Sequence, residues 1–305
     1  MMNQKKMSKL LGQYRQGNAI VKLYDDGTKV KETNDDEFSE ATRPETMDVC
    51  ISEFCENACA FCYANCTPNG KFADFSKYKR FLDSLPYLTE IAININSTPN
   101  PDLPDFLKKL KDKDVIVNAT VNQKYFMENY NILRGMSAVG YIHGLGISLT
   151  NPEEEGFIER VQRFPNAIIH VINGLITSNE IKVLSDKGLK LLILGYKQVG
   201  RGIDWYSKEA QIIKRRQEWL DRNLPIVSRH FEVVSFDNLA VEQLDVKRLV
   251  TEEEYDERFL GADGTISFYV NLVQGYFAKN SLSDVHYEIG NKTVDECFKI
   301  ILSNN

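Results

Sequence analysis

The sequence predicts an α/β protein whose centre is a partial TIM-like barrel, a (β/α)6 arrangement of parallel strands. Between residues 47 and 195, short apolar segments alternate with helix-like segments in about six units. Such alternation implies parallel strands joined by helical crossovers, and its extent favours a partial barrel over a doubly wound open sheet. Both folds place functional loops at the carboxyl ends of their strands. Around the barrel we expect an N-terminal hairpin and a C-terminal α+β extension.

Length and composition are those of one large domain with small appendages. The chain has 305 residues, of which 43% are hydrophobic and 26% charged, as in ordinary globular proteins. Its net charge of −6 argues against general binding to nucleic acid or to an anionic membrane. The sequence has no apolar run long enough to span a bilayer and no N-terminal secretion signal, so we expect a cytoplasmic protein.

The pattern divides the chain into three parts. An alternating segment at 18–24, a tight turn at Asp26 and Gly27, and a return at 28–31 predict the N-terminal hairpin. The polar stretch 33–44 is interpreted as a linker. The predicted parts are the hairpin and linker at 1–45, the barrel at 46–235 and the extension at 236–305.

The individual elements are predicted from periodicity and turn residues. The six barrel strands lie at 47–52, 89–96, 115–122, 139–150, 167–173 and 189–195. The helices lie at 75–85, 105–111, 156–163, 179–187 and 208–221. Beyond residue 230 the sequence predicts a strand at 231–236, an antiparallel hairpin at 264–278 and a closing helix at 293–302. Because the first strand runs into a cysteine-rich segment, that segment falls at the functional edge of the sheet.

Most of the cysteines lie together, between residues 50 and 66. Cys55, Cys59 and Cys62 are spaced C-x3-C-x2-C, and Phe61 directly precedes the third. In a reducing compartment, thiols this close indicate a metal site more than disulfides. A short loop of this kind is typical of an iron–sulfur cluster, whereas structural zinc usually takes two separated cysteine pairs. We therefore expect these three cysteines to be metal ligands.

Cys66 leaves a second arrangement open. With it the spacing becomes C-x3-C-x2-C-x3-C, which is close to that of an electron-transfer cluster with four cysteine ligands. Cys66 would then bind the fourth iron, and no position would remain for cofactor chemistry. The two other cysteines have simpler interpretations. Cys50 lies inside a predicted strand and is expected in the core, and Cys297 lies on the last helix, far from the others.

The C-x3-C-x2-C spacing with its preceding aromatic residue resembles the signature of the radical S-adenosylmethionine (radical SAM) enzymes. The resemblance implies that Cys55, Cys59 and Cys62 hold three irons of a [4Fe-4S] cluster and leave the fourth iron open to SAM. It further implies reductive cleavage of SAM to a 5′-deoxyadenosyl radical, which abstracts hydrogen from a substrate, and an external electron donor of the flavodoxin or ferredoxin type. The resemblance covers residues 47–202.

The resemblance extends to the places where this family binds SAM. The second strand runs into 94–103, at the position of the family's Gly-Gly-Glu-Pro segment, whose backbone contacts the methionine amino group. Asn94, Asn96 and Ser97 stand there instead, and the usual carboxylate is missing. A backbone acceptor or the Asn96 amide is expected to receive the ammonium hydrogens. Phe61, the aromatic residue of the cysteine motif, is expected to contact the cofactor as well.

Two further strand ends resemble the family. Ser148, at the end of the fourth strand, corresponds to a polar residue near the ribose or carboxylate of SAM, although a turn hydrogen bond explains a strand-end serine equally well. The fifth strand resembles the adenine-contact motif G-x-I-x-G-x-x-E. Ile172 and Gly174 match it, whereas His170 and Thr177 depart from it. The resemblance implies that Ile172 packs on adenine and that Gly174 allows a close backbone approach.

The glycine-rich loop 195–202 follows the sixth strand. Lys197 and Arg201 within it are candidates for binding a carboxylate or phosphate of the substrate, because arginine offers a planar fork of donors. The loop lacks the spacing of a P-loop. An exposed flexible loop without ligand contacts is the alternative interpretation.

A peptide or protein is the first choice of substrate. Residues 263–293 resemble the C-terminal extension of radical SAM enzymes that modify peptides, in a cysteine-poor form of their SPASM or twitch region. Because Cys297 is the one cysteine of the extension, we predict a single cluster. A nucleoside, nucleotide or other small molecule held by Lys197 and Arg201 is the second choice, and a non-catalytic electron carrier is the third.

Overall fold

The computed structural model describes residues 8–259 and 261–304. These residues form two β-sheets and the helices that connect strands of the larger sheet. The strands are β1 (Leu10–Gln16), β2 (Ala19–Tyr24), β3 (Lys29–Glu32), β4 (Thr46–Cys50), β5 (Glu90–Asn96), β6 (Ile116–Asn122), β7 (Gly144–Ser148), β8 (Ala167–Ile172), β9 (Lys190–Leu194), β10 (Val233–Phe236), β11 (Ser267–Asn271), β12 (Tyr276–Ala278) and β13 (Tyr287–Glu288). The helices are α1 (Lys79–Asp83), α2 (Leu103–Lys111), α3 (Gln123–Glu128), α4 (Tyr130–Ala138), α5 (Phe157–Arg163), α6 (Ser178–Leu184), α7 (Arg201–Val227), α8 (Asn238–Gln243), α9 (Glu252–Arg258) and α10 (Val294–Ser303).

The larger sheet is largely parallel and open. Its strands follow the order β10-β9-β8-β7-β6-β5-β4-β11-β12-β13. Every pair from β10 to β11 is parallel, and β12 and β13 add antiparallel pairs at the other edge. This architecture is a partial TIM-like barrel, which confirms the predicted fold class. The barrel takes in more strands than the six predicted, because β10 and β11 join it in parallel.

Alternation along the strands gives the sheet one covered and one open face. On β5, Ile91, Ile93 and Ile95 are each 1% exposed and belong to the hydrophobic core. The residues between them, including Ala92 and Asn94, are only partly buried. Since successive side chains of a strand point to opposite faces, the isoleucines pack under the helices and the intervening residues line the concave side. The concave side is therefore where the fold leaves room for ligands.

The smaller sheet of β1 to β3 packs at the amino ends of the barrel strands. Its Tyr14 shares a small hydrophobic cluster with Leu88 and Ile116, which lie where β5 and β6 begin. Lys29 of β3 forms an ion pair with Glu90, the first residue of β5. The smaller sheet is thus at the opposite end of the barrel from the cysteine-rich segment, which follows the carboxyl end of β4.

Several predicted elements have different bounds in the structure. The predicted hairpin of β2 and β3 is present, and β1 adds a third strand to it. The predicted helix at 208–221 is the centre of a longer one, α7, which begins at Arg201 and continues through Pro225. Four helices, α3, α4, α8 and α9, were not predicted. The first starts directly at the end of β6, where the Asn122 side chain accepts a hydrogen bond from the Tyr125 N–H at 2.7 Å.

Within the described ranges, no helix combines the length and the apolar character that crossing a membrane requires.

Candidate cofactor site

The cysteines of the β4 loop differ in exposure. Cys55, Cys59 and Cys62, the three predicted ligands, are only partly buried, whereas Cys50 and Cys66 are 8% and 5% exposed. All five are free thiols. A bound cluster needs thiolates that are accessible on one side, so the exposure pattern separates the C-x3-C-x2-C set from its neighbours.

Backbone hydrogen bonds define the shape of the loop. The N–H of Cys55 donates to the carbonyl of Thr67 at 2.9 Å, next to an isolated β-bridge between Phe54 and Thr67. The N–H of Cys62 donates to the carbonyl of Cys59 at 3.1 Å, which closes a turn between two of the predicted ligands. These bonds satisfy backbone groups that a loop would otherwise leave to solvent.

Arg201, the first residue of α7, holds this loop. Its guanidinium donates from Nε to the Cys59 carbonyl at 3.0 Å and from Nη2 to the Cys66 carbonyl at 2.8 Å. Its backbone N–H donates to the Cys62 carbonyl at 3.1 Å. Sequence analysis named Arg201 as a candidate ligand for a substrate anion; in the structure its donors contact the cysteine loop. A planar fork of donors suits two carbonyls as well as it suits a carboxylate.

Gly200 allows this close approach. Its φ of 56° lies in the left-handed region, and a Cβ atom there would lie 2.3 Å from the carbonyl oxygen of Tyr63 in the cysteine loop. Any side chain would push α7 away from the loop. The glycine-rich character of 195–202 therefore has a packing reason in addition to any role in binding.

The end of β5 holds the other side of the loop. The Asn94 side chain accepts from the Ile51 N–H at 2.9 Å and donates to the Ser52 carbonyl at 2.6 Å. The Asn96 amide donates to the carbonyls of Ser52 and Phe54 at 3.1 and 3.0 Å. The predicted role of these two side chains was cofactor binding, and their polar atoms are largely engaged with protein backbone. Sequence reasoning found their location and missed these contacts.

Ser97 completes this support. Its hydroxyl oxygen accepts a hydrogen bond from the N–H of Glu56, the residue after Cys55, at 2.8 Å. Like its neighbours on β5, Ser97 was predicted to bind the cofactor. In the structure it fixes the backbone between the first and second predicted ligands.

Cys62 and Cys66 act on each other's protonation. The Cys66 thiol lowers the pKa of Cys62 to about 6, whereas Cys62, together with burial, raises the pKa of Cys66. Burial also raises the pKa of Cys59, and the neighbouring thiols Cys55 and Cys62 add to this rise. At neutral pH the pair therefore favours a thiolate at Cys62 and a protonated thiol at Cys66.

No three His, Cys, Asp or Glu side chains of residues 8–259 and 261–304 are grouped closely enough to hold one metal ion. The thiolates of a [4Fe-4S] cluster each bind a different iron, so they are not the ligands of a single ion. The donor set that suits a cluster here is the three accessible thiols, supported by a loop that other residues hold in shape.

The concave face next to the loop is lined by polar groups. Asn122, Ser148 and His170 are register neighbours on β6, β7 and β8. The Asn122 Nδ2 atom is buried and has no hydrogen-bond partner in the described structure. Burial lowers the pKa of His170 to about 4, so its ring is neutral at physiological pH. That ring lies over Gly146, where a Cβ atom would be 2.2 Å from His170 Cε1.

The remaining predicted cofactor contacts lie around this face. Ile172 is partly buried beside Leu194 on β9. Gly174 has a φ of 90° and faces α7, where a Cβ atom would lie 2.7 Å from Ile213 Cγ2. Its glycine is therefore explained by close packing of the helix. Phe61 has an edge-to-face contact with Trp205, with 6.5 Å between the ring centroids.

Lys197 lies at the mouth of the barrel. Its Nζ donates to Ser281 Oγ at 3.0 Å and lies 4.2 Å from the ring centroid of Tyr63. The ammonium group is thus engaged by the extension and by the cysteine loop. Sequence reasoning named it as a candidate ligand for a substrate anion and did not connect it to either segment.

Asp48, in the middle of β4, also faces this space. Burial raises the pKa of Asp48; Lys197 acts in the opposite direction, and two other carboxylates, Asp263 and Asp237, add to the rise. Sequence reasoning missed Asp48, although an aspartate within the apolar strand T-M-D-V-C was a signal that could have found it.

No protein family profile matches this sequence, and no curated protein does so. Among solved structures, the chain is similar to Streptococcus suis SuiB bound to S-adenosylmethionine, with a TM-score of 0.59 at 10% identity over 96% of this chain and 89% of SuiB. It is also similar to SuiB bound to the precursor peptide SuiA, with a TM-score of 0.53 at 12% identity over 87% and 67% of the two chains. At such identities the similarity establishes a shared fold, which spans nearly the whole chain.

Proposed function

We propose that this chain is a radical SAM enzyme with a peptide substrate. The proposal rests on one observation. The three accessible thiols of the C-x3-C-x2-C motif lie on a hydrogen-bonded loop at the carboxyl edge of a partial barrel whose concave face is polar. In α/β folds this edge is where ligands bind. The fold it shares with SuiB, a protein crystallised with SAM, supports the same conclusion.

In this proposal Cys55, Cys59 and Cys62 hold a [4Fe-4S] cluster. When bound, the cluster supplies the electron that cleaves SAM to methionine and a 5′-deoxyadenosyl radical able to abstract hydrogen from a substrate. A flavodoxin- or ferredoxin-type protein is the proposed source of that electron. The residues of this chain fix the loop, favour a thiolate at Cys62 and enclose the substrate.

The chain's own groups have distinct parts in this scheme. Arg201 holds the loop from the side of α7 and Asn94 holds it from the side of β5. The Cys66 thiol lowers the pKa of Cys62, which favours metal binding because the thiolate is the ligand. Asn122 Nδ2 and the neutral ring of His170 offer hydrogen bonds to the polar parts of SAM.

A peptide is the proposed substrate class. SuiB, with the same fold, has been crystallised with a precursor peptide. The second candidate, a nucleoside or nucleotide, depended on Lys197 and Arg201 as anion ligands. Arg201 is engaged by the cysteine loop and Lys197 by Ser281 and Tyr63. Those contacts favour the peptide over the nucleotide.

A second function, a non-catalytic electron carrier, is favoured by one observation. The Cys66 side chain is near enough to Cys62 to change its pKa, and it is therefore a candidate ligand for the fourth iron. Its 5% exposure and its raised pKa favour a protonated thiol over a ligand. The two functions make opposite predictions for SAM binding.

The deciding experiment is anaerobic reconstitution followed by addition of SAM. A radical SAM enzyme is expected to change the electron paramagnetic resonance spectrum of its reduced cluster when SAM is added, and to form 5′-deoxyadenosine with dithionite. An unchanged spectrum together with no deoxyadenosine would overturn the proposal in favour of the electron carrier. Deuterium transfer from labelled candidate peptides into deoxyadenosine then identifies the substrate.

A further inference from the structure

Asp48 lies on the concave side of the barrel, outside the hydrophobic core and close enough to Tyr63 of the cysteine loop to act on it electrostatically. Its register neighbours are Ala92 on β5 and Tyr269 on β11. Met47 and Val49, on either side of it, point into the hydrophobic core, so the Asp48 side chain points the other way. Its side chain is exposed to solvent, as is typical of a residue that lines an open concavity.

The space beside Asp48 is formed by small side chains. Along the layer that contains it, the next residues in register are Ala92, Asn118 on β6 and Gly144 on β7. Gly144 has no side chain, and the Asn118 side chain lies over it, because a Cβ atom there would be 2.6 Å from Asn118 Oδ1. On the β5 side the carboxylate therefore faces room that no large side chain fills, and Tyr269 bounds it on the β11 side.

The carboxylate of Asp48 has no protein partner within residues 8–259 and 261–304: neither a hydrogen bond nor an ion pair engages it. Its acidic neighbours do have partners. Asp237 accepts hydrogen bonds from the N–H groups of Gly195 and Ala240, both at 2.8 Å. Asp263 accepts from the side-chain amides of Asn238 and Asn280. Asp48 is the carboxylate of this group that is left to bind something else.

Lys197 does not neutralise Asp48. Its ammonium is held by Ser281 and by the ring of Tyr63, beyond the distance of an ion pair with Asp48. In the described structure, three carboxylates therefore act on this region against one ammonium. The negative charges of Asp237 and Asp263 disfavour the unpaired carboxylate of Asp48, and a cation bound next to it offsets that repulsion. The local field attracts positive groups for the same reason.

We propose that Asp48 is a specificity-determining residue that binds the cationic side chain of a peptide substrate, a lysine ammonium or an arginine guanidinium. This inference rests on the proposed function, since it assumes that a peptide enters the barrel. An ammonium offers three donors and a guanidinium a planar fork, and each is a geometrically suitable partner for one carboxylate. Asp48 then selects which residue of the peptide lies at the centre of the barrel.

The test compares binding of peptide pools to the reconstituted protein in the presence of SAM. Each dye-labelled pool has random flanking residues and one fixed central residue, which is Lys, Arg, norleucine or Glu. Fluorescence anisotropy measures binding without requiring turnover, and deoxyadenosine formation is measured separately. Wild-type protein is expected to bind the Lys and Arg pools about tenfold more tightly than the norleucine pool.

Variants separate the role of Asp48 from general charge. Asp48→Asn is expected to abolish the preference, and Asp48→Glu to retain most of it, which also controls for folding. Glu153→Gln removes a negative charge from an exposed loop after β7 and is expected to change nothing. The affinity for SAM and the deoxyadenosine formed without peptide are measured for each variant, so that an effect on the cofactor is detected separately from an effect on the peptide.

The outcomes distinguish this inference from the proposed function. Equal binding of all pools by wild-type protein, or an unchanged preference in Asp48→Asn, overturns the role of Asp48. A loss of SAM affinity in Asp48→Asn, with peptide binding unchanged, overturns it as well, because the carboxylate would then serve the cofactor. Absence of deoxyadenosine in wild-type protein counts against the radical SAM function and leaves the peptide-binding result to stand by itself.

Discussion

The guanidinium of Arg201 donates a hydrogen bond from Nε to the main-chain carbonyl of Cys59, at 3.0 Å, and so joins the start of α7 to the middle predicted ligand. The contact links residues far apart in the chain. It gives the loop a support that does not depend on a bound cluster.

Replacement of Arg201 by lysine is expected to weaken the loop. A lysine ammonium cannot reproduce a planar fork that reaches two carbonyls at once. Losing such charge-assisted bonds is expected to lower the free energy of unfolding by about 1–3 kcal/mol and to reduce the iron retained after reconstitution. Denaturant titration and iron analysis measure both. Arg215→Lys, on the exposed side of α7, is the matched control. Equal iron content in the two variants would contradict the assigned role.

Asn94→Asp tests the other side of the loop. The substitution keeps an oxygen acceptor for the Ile51 N–H but puts a carboxylate oxygen against the Ser52 carbonyl, where the amide now donates. The free energy of unfolding is expected to fall by about 2 kcal/mol, since a buried acceptor loses its donor. Asn131→Asp, at an exposed position of α4, controls for the added charge. If both variants unfold at the same denaturant concentration, the contact is unimportant.

Cys66→Ala separates the two kinds of cluster. An open cluster is expected to survive this change and to keep forming deoxyadenosine, whereas Cys62→Ala removes a ligand and abolishes both. Cys297→Ala, far from the loop on α10, serves as the control. The signal to follow is the absorbance and paramagnetic resonance of the reconstituted protein. Loss of the cluster in Cys66→Ala would support the four-cysteine electron carrier instead.

The iron content follows from the distribution of cysteines. One [4Fe-4S] cluster per chain corresponds to about four iron atoms and four sulfides. Cys297 is buried on α10, and no second group of cysteines accompanies it in the sequence. Iron and sulfide analysis of anaerobically reconstituted protein provides the measurement. A value near eight iron atoms would mean that an additional cluster binds elsewhere.

His170 predicts a pH dependence of stability. Its pKa in the folded protein is about 4, below the ordinary value of 6.5, because burial disfavours the charged ring. The unfolded chain therefore binds more protons between these values, so the contribution of His170 is complete above about pH 6.5 and is lost as the pH falls towards 4. The loss amounts to up to about 3 kcal/mol. His170→Gln is expected to flatten the pH profile of unfolding by denaturant; parallel profiles for the two proteins would argue against it.

Local patterns were sufficient to predict the barrel strands. The alternation that predicts a strand at 89–96 is the same alternation that buries three isoleucines of β5 under helices. The parallel pairing of β11 with β4 had no such signal, because it joins Ser267–Asn271 to a strand more than two hundred residues earlier. Nothing in a hairpin sequence specifies which other strand its outer side will meet.

In the candidate site too, local features could be predicted from the sequence and contacts between distant segments could not. The cysteine spacing is a local signal, and it identified the three thiols that the structure leaves accessible. The roles of Arg201 and Asn94 depend on contacts across the fold, so their residue types suggested ligand binding while their neighbours make them supports for the loop. Asp48 was missed because its distinguishing feature is a carboxylate without a partner among the described residues, and this feature is visible only in the folded structure.

The position of β11 has a consequence for how this protein is made. During translation, the cysteine-bearing β4 leaves the ribosome early, and the strand that covers its outer edge is among the last to be synthesised. A nascent or prematurely terminated chain thus carries a bare hydrogen-bonding edge directly before its reactive sulfurs. Iron is then best delivered after β11 has been synthesised, because that strand closes the edge.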